Sequence, residues 1–434
     1  MNVTELTQAI RDRLDQPETL ERLYREHPKV FKTAFDQVYQ ELPQSLILRV
    51  WAARLSFQKV SEPIRRLINQ IPDWLVILFL CLLAGTIAKI PGFLAFEYPE
   101  AQSFWERNLG YYVAPFLAAY FLLRNRPGKR MTAATIALLV LPLIFINTIP
   151  KLLDQPNDYW QASQTYNLAC LHLILFLWTV VGMPFCGKRW GEAPVRMDYL
   201  RYSGETLIFS TLLLISGGLL AALTYGLFWA ISVDINKIYG EYILVYGLCA
   251  APIVATHLTA ARDRFTGNLA PLLSKIFSPL VLITLLIYLL VIAGLGKNPF
   301  QDRDFLITFN AMLLAVVSVT IFTLSERDKE EQRNAWDFVI TSLIGVALIV
   351  DAIALSAIAF RLISFGITPN RLAILGSNVA IFLHLIGTLL QYSRFLTGRG
   401  NLVAIQAWVA GYLPVYAVWS AIVTFVFPSL FGFK

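Results

Sequence analysis

From Ile71 to the C-terminus, apolar runs of about twenty residues recur, with charged residues confined to their ends. A hydrocarbon layer about 30 Å thick offers no water to backbone N–H and C=O groups, so a run of this kind can cross it only as a helix. Eleven such blocks can be drawn, at 72–93, 110–123, 131–150, 167–186, 204–231, 239–259, 272–295, 305–325, 336–360, 372–391 and 403–431. The second is short and the fifth and eleventh are long, so the count ranges from ten to twelve; a re-entrant piece near Pro115 stays open. The expected architecture is an all-α integral membrane protein. It is a polytopic bundle of about eleven transmembrane helices over residues 71–434, preceded by a short helical region on the cytoplasmic side.

Composition agrees. Only 15% of the 434 residues are charged and 56% are hydrophobic, where soluble domains carry roughly 25% charge. This excludes a soluble enzyme, a secreted disulfide scaffold, a disordered chain and a nucleic-acid binder. The net charge of +7 reads as membrane orientation rather than as an anionic partner. With the N-terminus inside, the short inner loops carry fifteen Lys and Arg and the outer loops seven. That bias expects a cytoplasmic N-terminus and, with eleven spans, an external C-terminus, in a plasma or inner membrane. No apolar core precedes residue 45, so the first membrane helix is expected to act as the insertion signal.

Residues 1–70 hold eleven Lys and Arg and nine Asp and Glu. Leu20, Leu23, Tyr24, His27, Phe31, Ala34, Phe35, Val38 and Tyr39 recur in steps of three and four, so residues 1–45 are expected to form short amphipathic helices punctuated by Pro17, Pro28 and Pro43. This region could dock on a protein partner or on a second copy. Residues 46–70 combine apolar positions with Arg49, Arg54, Lys59, Arg65 and Arg66, the composition of a basic helix on an anionic inner leaflet.

Chemistry has few places to sit. There is no P-loop, dinucleotide glycine motif, HExxH, GxSxG or calcium loop, and no catalytic residue, cofactor or metal is expected. Cys81, Cys170, Cys186 and Cys249 lie singly in apolar segments. Polarity inside the membrane is what remains, and an ionisable group there costs about 2.5–3.5 kcal/mol on insertion scales. Asp351 interrupts the run from Gly345 to Phe360 and is the sharpest candidate. Counting from the block ends puts it in the outer half of the bilayer, where Asn378 could meet it across a helical hairpin. Asn147, His172 and Asn310 also fall in outer halves, so the five could line an outward-facing polar pocket, with Arg361 and Arg371 at its rim. His384 lies deeper, about 8 Å from the level of Asp351, and could exchange protons with it only through water. Asn and His in membrane helices often merely bond a neighbouring helix, for about 0.6 kcal/mol. Asp351 could likewise be protonated or paired in a static bridge.

The segment Arg361 to Arg371 reads as a tight turn, with Gly366 permitting the bend, Thr368 capping the next helix and Pro369 at its first position. The string Gly366-Ile367-Thr368-Pro369-Asn370-Arg371-Leu372, followed by an apolar helix with Asn378, resembles a segment of a group of uncharacterised bacterial multi-pass inner-membrane proteins. Members share a G-[IL]-T-x-x-R turn between two late transmembrane helices and are classed as a domain of unknown function. The resemblance runs from Arg361 to Gln391 and implies a bacterial membrane protein, with no substrate or catalytic residue.

Three functional classes follow. A secondary transporter or permease is favoured by the number of spans and by Asp351. A sensor, scaffold or assembly partner would act through the N-terminal helices and the charged loop Glu326 to Arg333. A membrane enzyme on lipid-linked substrates would need clustered acids or histidines, and only Glu97, Glu100 and Glu106 stand together outside.

Overall fold

A computed structural model of the chain describes residues 3–14, 16–42, 44–56, 72–96, 100–151, 163–230, 235–260, 278–279, 281–283, 285–286, 289–290, 303–327 and 333–433. Lys59, Arg65, Arg66, Glu97 and more than half of the 272–295 block lie outside the described residues, as does the side chain of Arg54. Among the described residues every regular element is helical. The chain divides into two compact units, Met1–Asp73 and Trp74–Lys434.

The first unit consists of α1 (Val3–Arg11), α2 (Pro17–Glu26), α3 (Pro28–Glu41) and α4 (Leu46–Ser56). Pro17 and Pro28 each open a helix, where a missing N–H costs nothing. Leu6, Ile10, Leu20, Leu23, Phe31, Ala34, Phe35 and Val38 are buried together, and α4 adds Leu48 and Trp51 to the same core. Tyr24, Phe31 and Trp51 form an aromatic knot with centroids 5.3–5.6 Å apart. Phe31→Ala should therefore remove about 3–5 kcal/mol, comparable to the whole stability of so small a unit. Limited proteolysis of the full chain in detergent should then cut within residues 1–56 while leaving the 74–434 fragment intact.

In the second unit seven helices are long and apolar enough to cross a membrane: Lys129–Thr148, Gln164–Arg189, Ala193–Ala222, Asn236–Thr259, Ala335–Phe365, Pro369–Leu396 and Leu402–Leu430. Two other sequence blocks hold shorter apolar helices, α5 (Asp73–Ala88) and Asn310–Ser325 within the helix Arg303–Ser325, and a third holds the short helix Ala114–Asn125. The last, with 12 residues, rises only about 18 Å. The chain is thus a helical membrane protein, with seven helices among the described residues long and apolar enough to cross a bilayer.

Four glycines carry the closest helix contacts. A Cβ at Gly85 or Gly204 would fall 2.2 Å from a ring atom of Tyr246 or Phe322, and at Gly376 or Gly387 2.0 Å from Trp419 or Trp408. The Gly218, Ala222, Gly226 spacing in the sequence offers a similar approach, but nothing lies within 4 Å of a Cβ at Gly218. Gly376 and Gly387 are eleven residues apart on one helix, close to three turns, and Trp419 and Trp408 are eleven apart on another. The two Gly–Trp seats fix an antiparallel register between Pro369–Leu396 and the 402–430 segment. Each indole is also tied by a hydrogen bond, Trp408 Nε1 to the His384 carbonyl (3.1 Å) and Trp419 Nε1 to Ser377 Oγ (2.9 Å). Gly387→Ala should cost about 1–3 kcal/mol in detergent unfolding, because Trp408 must move off its bond. Gly345→Ala, facing open space, should be neutral or stabilising by up to about 1 kcal/mol.

Candidate functional site

The site is built on a hairpin, helices Ala335–Phe365 and Pro369–Leu396. The first starts with a capping box, in which the Asn334 N–H donates to Asp337 Oδ2 (2.8 Å) and Asn334 Oδ1 accepts from the Trp336 N–H (3.0 Å). It ends where Gly366 takes φ +79°, a left-handed value that glycine tolerates. Thr368 Oγ1 caps the second helix by accepting from the Arg371 N–H (3.3 Å), and Pro369 takes its first turn. Arg371 Nη1 donates to the carbonyls of Phe365 (2.8 Å) and Gly366 (2.7 Å), so Arg371 holds the turn instead of presenting its charge to a pocket. Arg361 is half-buried one turn before the end of the first helix.

These true ends move the expected depths. The first helix continues five residues past the apolar block, and Asp351 lies next to its midpoint, about 21 Å from Phe365. His384 lies about 22 Å from Pro369, so Asp351 and His384 share a level on the hairpin. Asn378, about 14 Å from Pro369, sits nearer the turn, and its side chain donates to Asn310 Oδ1 (2.9 Å) rather than meeting Asp351.

Asp351 is fully buried, and neither carboxyl oxygen has a hydrogen-bonding partner among the described residues. His384 is 2% exposed and is clasped by the 402–430 segment. Its ring stacks on Tyr412 at 4.4 Å and 6°, its Nδ1 is 2.7 Å from the Tyr416 hydroxyl, and its Nε2 has no partner among the described residues. Tyr416 lies within electrostatic range of Asp351 but makes no hydrogen bond to it, so among the described residues its bonded ionisable neighbour is His384. A phenol donates and accepts at one oxygen, and can hand a proton from one side to the other. Trp408, Tyr412, Tyr416 and Trp419, at steps of four, four and three, form one aromatic stripe over Gly387, His384 and Gly376. That spacing is readable in the sequence, but aromatics at helical spacing are usual in any bundle core.

The other candidates serve the frame. Asn147 exchanges hydrogen bonds with Asn108 (3.0 and 3.1 Å), while Arg107 donates to the carbonyls of Ile146 (3.1 Å) and Asn147 (2.9 Å). His172 Nδ1 contacts the Leu168 carbonyl of its own helix (2.9 Å). Among the described residues no hydrogen bond links either residue to Asp351. Glu106 takes the Lys151 ammonium (2.7 Å) and the Tyr166 hydroxyl (3.3 Å), which makes it part of an inter-helix clamp.

At the opposite end from Gly366 the loop after Ser325 is bound by charge. Arg327 and Asp337 form a buried ion pair. Gln406 Nε2 donates to the carbonyls of Leu324 and Arg327, 3.0 Å each, and Arg201 bonds the Ser325 carbonyl while lying 3.6 Å from Glu326. The beginning of the Glu326–Arg333 charge run is therefore internal structure. Residues 328–332 lie outside the described set. Among the described residues no three His, Cys, Asp or Glu come together as a metal site. No family model matches the chain, and no curated protein or solved structure matches it.

Proposed function

We propose that the protein is a secondary transporter or permease of a bacterial inner membrane, with its polar site at Asp351, His384 and Tyr416. The observation that carries this reading is Asp351 itself, a fully buried carboxylate at the centre of a 31-residue apolar helix with no partner among the described residues. Structural glue is partnered, and an unpaired buried charge is relieved only by a proton or by a cationic or hydrogen-bonding guest. Two features support movement of such a guest. Tyr416 bonds His384 and lies within electrostatic range of Asp351, so a water between Tyr416 and the carboxyl would complete a proton path. The charged clamps lie toward the helix ends, at Arg327–Asp337, Lys151–Glu106 and Lys89–Glu241 (3.0 Å), where a closed bundle would seal the middle. Eleven crossings, with the N-terminus inside and the C-terminus outside, complete the proposal; the Asn378–Asn310 pair stands on the turn side of the site.

The test is water access. Asp351→Cys is placed in a background lacking Cys81, Cys170, Cys186 and Cys249, and intact cells are treated with a membrane-impermeant thiol reagent. The expected result is slow labelling at 351, as the bundle opens, against rapid labelling of Ile367→Cys in the exposed turn. A control that reacts while 351 stays unlabelled withdraws the outward path. A second reading, a sensor or scaffold, is supported by the separate core of the N-terminal unit. It requires that deletion of residues 1–56 abolish the cellular phenotype while Asp351→Asn leaves it intact.

A further inference from the structure

Helix Leu46–Ser56 is apolar on two sides. Leu48 and Trp51 enter the core of the N-terminal unit, 0% and 5% exposed. Leu46 and Val50, one turn apart, face outward at 75% and 59% exposure, with Arg49 exposed beside them. The helix contains Arg49 and Arg54 and no acidic residue, and the next acid in the chain is Glu62. Two large aliphatic side chains held in water by a folded unit are a standing cost, roughly proportional to their exposed area. Sixteen residues lie between Ser56 and Asp73, where the first apolar helix begins, so even full extension keeps this face within about 60 Å of the membrane. A surface that never diffuses away is present at high effective concentration.

We propose that the Leu46–Val50 face docks on the anionic leaflet of the bilayer. Leu46 and Val50 enter the boundary between headgroups and acyl chains, and Arg49 meets lipid phosphates. Aliphatic side chains beside an arginine, on a helix with no carboxylate to repel an anionic surface, match this occupant better than a second copy of a unit rich in both charges. The inference stands independently of the transport reading.

The experiment uses the full chain, with its native cysteines replaced, in nanodiscs of phosphatidylcholine with or without phosphatidylglycerol. An environment-sensitive fluorophore is attached at Val50→Cys or, as a control, at Thr33→Cys on an exposed position of α3. Lipids spin-labelled near the top of the acyl chain should quench the probe at 50 several-fold more than the probe at 33. Arg49→Glu should remove the dependence on phosphatidylglycerol, and Leu46→Glu should abolish the excess quenching. Leu46 is so exposed that its replacement leaves the core untouched, which far-ultraviolet dichroism would verify. Equal quenching at the two positions overturns the proposal. So does a probe at 50 that is shielded from water without lipid quenching, in proportion to protein density in the disc, which would mean a second copy.

Discussion

Asp337→Ala is expected to destabilise the bundle by about 3–5 kcal/mol, the usual cost of stranding one member of a buried ion pair. Asp337 is fully buried and Arg327 is 7% exposed, so the guanidinium left behind could not regain water without unfolding its loop. The carboxylate has a second task. Its Oδ2 accepts from the Asn334 N–H and closes the capping box of the helix that carries Asp351. Losing that bond adds about 1 kcal/mol. The Arg327 carbonyl is also one of the two acceptors that hold Gln406, so the damage reaches the 402–430 segment. Asp337→Asn keeps an acceptor for the cap but not the charge, and should fall between wild type and alanine. The double replacement Arg327→Met with Asp337→Leu removes both charges together and should recover most of the loss. The measurement is unfolding in mixed micelles followed by circular dichroism. A cost under about 1 kcal/mol for Asp337→Ala would mean that the pair is solvated.

That ion pair also marks what the sequence could not disclose. Glu326, Arg327 and Arg333 read along the chain as a charged loop through which a scaffold could act, because linear charge density says nothing of Arg201, Asp337 and Gln406, which reach the same loop from three other helices. Apolar run length located seven helices of spanning length among the described residues, because the bilayer imposes that length directly. It fared worse where a helix outlasts its apolar block. The block ending at 360 was closed by Arg361, but the helix is closed by Gly366, whose positive φ stops it five residues later. Those five residues, with the earlier start of the next helix, were enough to separate Asp351 from Asn378 and bring it level with His384. The turn itself was legible to the residue, since Gly366, Thr368 and Pro369 act through local backbone geometry. Small-residue spacing was not a guide. Gly218 looks like Gly376 in sequence, and only the tryptophan opposite distinguishes a seat from an open surface.

Asp351→Asn is expected to abolish function and leave the fold intact. The asparagine amide has nearly the carboxyl's volume, so no cavity opens, and it cannot ionise. Stability should stay within about 1 kcal/mol of wild type, since the substitution exchanges one buried polar group for another and strands no partner among the described residues. Insertion and expression should be unchanged, while any phenotype or uptake restored by the wild-type chain should fall to the level of the gene deletion. Two neighbours then separate the possible roles of the carboxylate. Tyr416→Phe keeps the ring against Tyr412 and His384 and removes only the hydroxyl that lies 2.7 Å from His384 Nδ1. If Asp351 exchanges protons through Tyr416, this variant should lose at least ten-fold in uptake driven by a pH gradient, and His384→Gln should behave alike. If Asp351 instead holds a cationic solute directly, Tyr416→Phe should remain within about two-fold of wild type while Asp351→Asn is still dead. A silent Asp351→Asn would remove transport through this site altogether. A carboxylate that a bundle buries at the middle of a long helical hairpin and does not need would have to be explained by folding alone, and the unchanged stability of the asparagine variant would exclude that as well.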